Sequence, residues 1–308
     1  MHGVMRVAAV LAAIGVALVV GNADALAYQS GSIGYDISYL QCGTTYPSNV
    51  RTGNPPAVSP TTRPSGSRGQ FFGRLPQSTL GTGGLRLLPP PAVTTASPRA
   101  SFGIVGVDSG YPFMSPAHPG NPCLADEYAR TPQAGLYINT GYDPSYTDAN
   151  HTSASCASQS AAVTGTTDQK KAWAVGCSEA EGDYGYAGSL GITSPVGWWL
   201  DVETVNSWCG QMGTNCTDLT LNQYTIQGII DTLTHIGAVP IGIYSNKTLW
   251  SAIVGSNTVH GQTADWVASG TSTAQAAAAR CTSSNSFTGD PVTLVQYITG
   301  SVDRDYAC

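Results

Sequence analysis

Seven short β-prone runs punctuate the chain, and most are followed by a helix-forming or polar stretch. They are SIGYDIS (32–38), FGIVGV (102–107), GLYINT (135–140), VGWWLDVE (196–203), VPIGIYS (239–245), ADWVAS (264–269) and VTLVQYI (292–298). Between them, DQKKAWAVGCSEAEGDYGYA (168–187) reads as helix-like. LTLNQYTIQGIIDTLTHIG (219–237) is a stronger helix, with Tyr224, Ile226, Ile229, Ile230 and Leu233 at helical spacing and Gly237 as its stop. KTLWSAIVG and the Ala-rich TAQAAAA supply two shorter ones. Strand followed by helix, repeated, implies a mainly parallel sheet. A strand count approaching eight favours closure, so the expectation is an α/β fold: a modified TIM-type (β/α) barrel in a single domain.

The two ends of that reading are set by composition. Arg6 followed by the apolar VAAVLAAIGVALVV (7–20) and by Ala25-Leu26-Ala27 is the pattern of a cleaved signal peptide over 1–27. The barrel would then occupy 28–308 as a secreted protein, extracellular or cell-wall associated, with no membrane attachment after cleavage. Within it, about 44–100 shifts to Pro, Gly, Ser and Thr, most strongly from Asn54 to Pro98, and reads as a disordered insertion.

Eight cysteines (Cys42, Cys123, Cys156, Cys177, Cys209, Cys216, Cys281 and Cys308) follow the signal segment. An even number in an exported chain implies four disulfides rather than a metal site, since no C-x-x-C pair is present and no histidines cluster nearby. Pairing neighbours along the chain gives 42–123, 156–177, 209–216 and 281–308, among many formal alternatives; only 209–216 has local support. A net charge of −6 argues against nucleic acid as a partner. His118, His151 and His260 lack acids or cysteines at ligand spacing, so neither metal nor cofactor is expected.

Only 10% of the residues are charged, yet acids recur at strand ends: Asp36 on the first, Asp201 and Glu203 on the fourth, and Asp303 after the last. A parallel barrel places its chemistry at the C-terminal ends of its strands. Asp201 and Glu203, two residues apart on a strand, leave the same face with Cα atoms about 6.5–7 Å apart. Such a pair raises the proton affinity of its members, so one acid can donate a proton while the other stabilises positive charge. Trp198 and Trp199 must point to opposite faces, so at least one is core, and Trp266 is also read as core.

GYDISYLQ (34–41), WWLDVET (198–204), PIGIYSNKTLW (240–250), ADWVAS (264–269) and LVQYITGSVDRDY (294–306) occur in the order of the motifs of family 25 glycoside hydrolases. The chain resembles that family of lysozyme-type muramidases, and most of all a group of secreted, actinobacterial-type proteins with a related domain. The resemblance implies Glu203 as general acid and Asp201 as the partner that stabilises the substrate's N-acetyl group. It implies Asp36, Asp303, Tyr244 and Trp250 as substrate-binding residues; Asp305, which shares one short segment with Asp303, is an alternative to it. Two departures stand out: Asp108-Ser109 where the family carries Thr-Glu, and Asn139-Thr140 where an aromatic residue or His is usual. The resulting expectation is a monomeric, secreted glycoside hydrolase acting on N-acetylated cell-wall polysaccharide, peptidoglycan above all. The alternative is a non-catalytic glycan-binding or wall-associated protein that keeps the barrel.

Overall fold

The computed structural model describes residues 28–43, 100–114, 118–211, 213–300 and 302–308. The signal segment and nearly all of the Pro-rich insertion lie outside the described residues. Ala100, placed by composition at the insertion's edge, is already buried in the core.

Eight strands close into one barrel in chain order. They are β1 (Ile33–Ile37), β2 (Gly103–Gly106), β3 (Ala134–Asn139), β4 (Trp198–Asp201), β5 (Ile241–Ser245), β6 (Ala264–Thr271), β7 (Val292–Thr299) and β8 (Val302–Ala307). Neighbours from β1 to β7 run parallel, whereas β8 is antiparallel to both β7 and β1. The eighth strand is a correction to the sequence reading, which took VDRDY as a tail beyond the last strand. Its acids hid it: an inward-facing carboxylate does not look like a core residue.

Outside the strands lie α1 (Leu124–Arg130), α2 (Ala154–Gln159), α3 (Thr167–Ser189), α4 (Leu219–His235), α5 (Lys247–Val254) and α6 (Ala274–Ala278). Helices α1 and α2 fall where the sequence showed only polar connections. Each longer helix starts on a side-chain cap: Thr166 and Gln169 form a capping box on α3, Asp218 caps α4 and Asn246 caps α5. Gly237, with φ of 80°, ends α4 as its sequence position suggests. Among the described residues no helix is long and apolar enough to cross a membrane.

Strand alternation sorts side chains into two cores. Phe102, Ile104, Trp199, Trp266, Leu294 and Ala307 fill the barrel interior. Val105, Leu136, Ile138, Trp198 and Leu200 face outward and pack with Ile226, Ile229 and Leu233 of α4. Trp198 and Trp199 therefore divide between the two cores, and Trp266 packs edge-on to Trp199 with centroids 5.6 Å apart. The disulfides are Cys42–Cys123, Cys156–Cys177, Cys209–Cys216 and Cys281–Cys308, the pairing obtained from chain neighbours. The first brackets the insertion, and the last ties the C-terminal residue to the segment after α6.

Candidate active site

The apolar filling occupies one end of the barrel, and the C-terminal ends of the parallel strands are lined with acid. Register explains the convergence. Asp201 on β4 is level with Asn139 on β3 and Tyr244 on β5, and Asp305 on β8 lies level with both Gly34 on β1 and Gln296 on β7. Asp303 and Asp305 share the inward face of β8 with Ala307, and Asp36 is two residues along β1 from Gly34. The first and last strands thus bring Asp36, Asp303 and Asp305 to one rim, while Asp201 and Glu203 stand on β4. Asp36, Asp201, Glu203 and Asp303 are half-buried, whereas Asp305 and Asp108 are closed off. Four acids singled out in the sequence therefore share one mouth, each keeping some access to solvent.

β4 ends at Asp201, but the segment after it is held. Val202 N–H donates to the Tyr244 carbonyl at 3.0 Å, and the Ser245 hydroxyl donates to the Val202 carbonyl at 2.8 Å. Thr140 Oγ1 and Asn206 Nδ2 donate to the Asp201 carbonyl at 2.6 and 3.2 Å. Trp208 Nε1 donates to the Glu203 carbonyl at 2.9 Å. With main chain fixed on both sides of the pair, neither carboxylate depends on a mobile loop for its position.

Among the described residues, none of the six acids makes an ion pair. Burial is the first cause of every shift here. It holds Asp201 well above the usual carboxylate range, with the charges of Glu203, Asp108 and Asp36 adding to it. Glu203 is raised by burial, opposed by the Tyr244 hydroxyl and reinforced by Asp303. Burial raises Asp303, and burial plus the neighbouring Asp36 charge puts Asp305 well above its ordinary value. Asp36 is pushed up to about 8 by burial and then by Asp303, against the opposing hydrogen bond from Gln296. So many carboxyls cannot all ionise at neutral pH, and the mouth retains protons.

A hydrogen-bonded chain links the two sides. The Tyr244 hydroxyl reaches Glu203 and donates to Gln296 Oε1 at 2.7 Å. Gln296 Nε2 donates to Asp36 Oδ2 at 3.1 Å, and Trp266 Nε1 donates to Asp305 Oδ1 at 2.8 Å. Tyr137 on β3 sits beneath, close enough to Asp36, Asp108 and Asp201 to feel their charges.

The structure corrects one expected binding residue. Trp250 packs on Phe287, centroids 5.6 Å apart, and borders a cavity with Gly255–Val259 and Thr288. Those segments lead into β6 and β7 at the opposite end of the barrel, so Trp250 does not join the acids. Its place one turn into α5 turns the ring into the helical layer. Tyr244 does line the mouth, through its hydroxyl more than its buried ring. Sequence reasoning missed Tyr137 and Gln296 and treated Asp305 only as a substitute. Tyr137 and Gln296 stand on the inward alternation of β3 and β7, and Asp305 on that of β8, which the sequence reading did not take as a strand. It also missed a rim: among the described residues, five of the eight exposed large apolar ones, Tyr39, Leu40, Tyr111, Val205 and Ile298, sit at or just beyond strand C-terminal ends.

The two departures from the family pattern answer one another. Asp108 Oδ2 accepts the Asn139 main-chain N–H at 2.7 Å, and its Oδ1 accepts Asn139 Nδ2 and Gly110 N–H at the same distance. Burial still leaves Asp108 at about 6, because these three donors only partly offset it. As for metal donors, among the described residues the one group within 4.8 Å of one another is Cys156, Cys177 and Glu181, and its sulfurs form a disulfide.

The raised Asp36 makes stability pH-dependent with a definite sign. The folded chain keeps a proton that the unfolded chain releases above about 3.8, so this stabilisation is complete below that value and lost as pH rises towards about 8. Solvent in the mouth screens the effect to about 2 kcal/mol. The unfolding midpoint should fall by roughly 5 °C between about pH 5 and about pH 8. Asp36→Asn should make that slope shallower in a thermal melt series; an unchanged slope would refute the assignment.

No family model matches the chain, and no curated protein matches it. Among solved structures, the modular autolysin LytC from Streptococcus pneumoniae aligns at TM-score 0.40 and 15% identity, covering 67% of this chain and 40% of LytC. A second LytC structure, in complex with a synthetic peptidoglycan ligand, aligns at TM-score 0.39 and 14% identity with the same coverage. A muramidase from Acremonium alcalophilum aligns at TM-score 0.40 and 15% identity, covering 68% of this chain and 83% of the muramidase. The chain thus spans well under half the length of LytC.

Proposed function

We propose that this chain is a secreted glycoside hydrolase that cleaves N-acetylated cell-wall polysaccharide, peptidoglycan first, through Glu203 and Asp201. The observation that carries this reading is the convergence of Asp36, Asp201, Glu203 and Asp303 in one solvent-accessible mouth without a cationic partner among the described residues. Four disulfides suit an oxidising, extracellular compartment. The motif resemblance to family 25 supplies the substrate class.

Burial raises Glu203 against the opposing effect of the Tyr244 hydroxyl, which suits Glu203 as the acid. Gln296, hydrogen-bonded to both Tyr244 and Asp36, ties the two sides of the mouth together. Asp201, the more strongly shifted of the two, shares the proton in the free site. A substrate amide N–H donating to Asp201 favours its ionised form and moves the proton to Glu203. Glu203 then protonates the leaving glycosidic oxygen as the acetamido oxygen attacks the anomeric carbon. Asp201 holds the cyclic cation that forms, and water opens it with Glu203 acting as base. Tyr39 and Tyr111, exposed beyond β1 and β2, offer flat apolar surface for the flanking sugars.

Incubation of the mature chain with purified peptidoglycan, and separately with chitin oligosaccharides, tests this by reducing-end release and mass spectrometry. Release from peptidoglycan is the expected result. The Asp108–Asn139 clasp occupies two strand ends where the family places other groups, which favours a second reading as a glycan-binding protein without turnover. Saturable binding with no new reducing ends would select that reading.

A further inference from the structure

The inward face of α3 carries two acids that the barrel site does not use. Glu179 and Asp183, one helical turn apart, are each 2% exposed. Glu179 Oε1 and Oε2 and Asp183 Oδ2 are buried without a hydrogen bond of normal geometry, although the Gly141 main-chain N–H approaches Glu179, and neither residue makes an ion pair with a described residue. Both acids line a cavity of about 220 Å³, walled on the other side by Pro112, Phe113, Met114 and His151. Phe113 and His151 form an aromatic group with Tyr146, with centroids 5.0 to 5.2 Å apart.

Unpaired buried carboxylates are costly, and native chains keep them satisfied by a partner or neutral. The cavity's size and donor spacing say what partner fits. A bare cation needs little room and draws its ligands close, yet Glu179, Asp183 and Asp108 do not form a donor group within 4.8 Å. The volume is many times the roughly 10–15 Å³ that one water requires. Its walls pair carboxyl oxygens with apolar and aromatic surface, the two surfaces an alkylammonium ion presents in reverse.

We propose that this cavity binds a primary ammonium group on a short alkyl chain, with the ammonium at Glu179 and Asp183 and the chain along Pro112, Phe113 and Met114. Burial, then the Asp183 and Asp108 charges, hold Glu179 well above its usual range against the opposing Gly141 main-chain N–H, and burial with the Asp108 charge does the same for Asp183. An ammonium ion relieves that repulsion. His151 stays turned towards Asp148, 2.7 Å away, and Glu181 accepts from the Ser153 hydroxyl at 2.8 Å, so neither competes for the amine. Such a group can come from a free diamine or from the amino-acid side chain of a wall peptide; the second source rests on the hydrolase reading above, the first does not.

Calorimetric titration of the full mature chain with 1,5-diaminopentane tests the site directly, with calcium chloride as a parallel titrant. Saturable amine binding is expected, weakened at least about tenfold by Glu179→Gln, a change that removes charge but keeps shape. Phe113→Ala, on the opposite wall, should weaken it by a few fold, and Glu203→Gln should leave it unchanged. Absence of saturable amine binding, equal affinity in Glu179→Gln, or loss of binding in Glu203→Gln would each overturn the proposal. Calcium binding that Glu179→Gln abolishes, without amine binding, would replace it with a metal site. Competition by a peptidoglycan fragment with a free side-chain amine, lost on acetylation of that amine, assigns the wall as source; amine binding without competition assigns a free diamine.

Discussion

Glu203→Gln is expected to lower peptidoglycan hydrolysis by about 10³-fold or more while leaving the fold intact, within the range that general acids contribute. The expectation rests on separating charge from shape. The substituted amide fills the same volume beside the Tyr244 hydroxyl, and the main chain at 203 remains anchored by Trp208 Nε1 at 2.9 Å. Only the transferable proton is lost. Because burial raises Glu203, wild-type activity should decline on the alkaline side as that proton leaves, and the residual activity of the variant should lack this limb. Initial rates of reducing-end release across pH, with a melting curve for each protein, provide the measurement. A variant that keeps more than about a tenth of wild-type activity would sink the assignment of Glu203 as acid.

The acids of the mouth are legible in the sequence, and the rest of the site is hidden for separate physical reasons. Asp201 and Glu203 were legible because they interrupt an apolar strand in a chain poor in charge, and GYD and VDRDY stood out for the same reason. Tyr137 and Gln296 look like ordinary strand residues, and only the closed geometry of the barrel turns them towards the acids. The eighth strand escaped because its inward face carries Asp303 and Asp305 rather than apolar residues, so the usual sign of a buried strand was inverted. Trp250 failed in the opposite way. It follows β5 closely in sequence, but α5 turns its ring into the helical layer, and proximity in sequence does not report the face of a helix. Asp108 and Asn139 looked like two independent losses, yet their three mutual and local hydrogen bonds make them one paired feature. A pairing across parallel strands of that kind leaves no periodic trace.

Gly176→Ala should destabilise the protein by about 3–5 kcal/mol, in the range of overpacked or cavity-forming core changes. Helices α3 and α4 cross at two reciprocal glycines. A Cβ at Gly176 would stand 1.9 Å from the Thr225 carbonyl oxygen, and one at Gly228 would stand 2.2 Å from the Trp173 carbonyl oxygen. Both obstacles are main chain and cannot rotate aside. The crossing is further fixed by Thr225 Oγ1 donating to the Ala172 carbonyl at 3.1 Å and Trp173 Nε1 donating to Asp231 Oδ2 at 2.8 Å. Cys177, next to Gly176, is tied to Cys156, so α3 has little freedom to retreat. A methyl group must therefore push the helices apart and loosen Val175, Ile226 and Ile229, which pack in the core between helices and barrel. Gly185 in the same helix meets nothing within 4 Å, so Gly185→Ala should stabilise by about 0.5–1 kcal/mol through helix propensity alone. The same substitution in one helix thus has opposite signs at two sites nine residues apart, read as a thermal midpoint lowered by roughly 10 °C at one and slightly raised at the other. If both variants melt within about 2 °C of the wild type, the close crossing of α3 and α4 is wrong, and with it the placement of Glu179 and Asp183 on the inward face of α3.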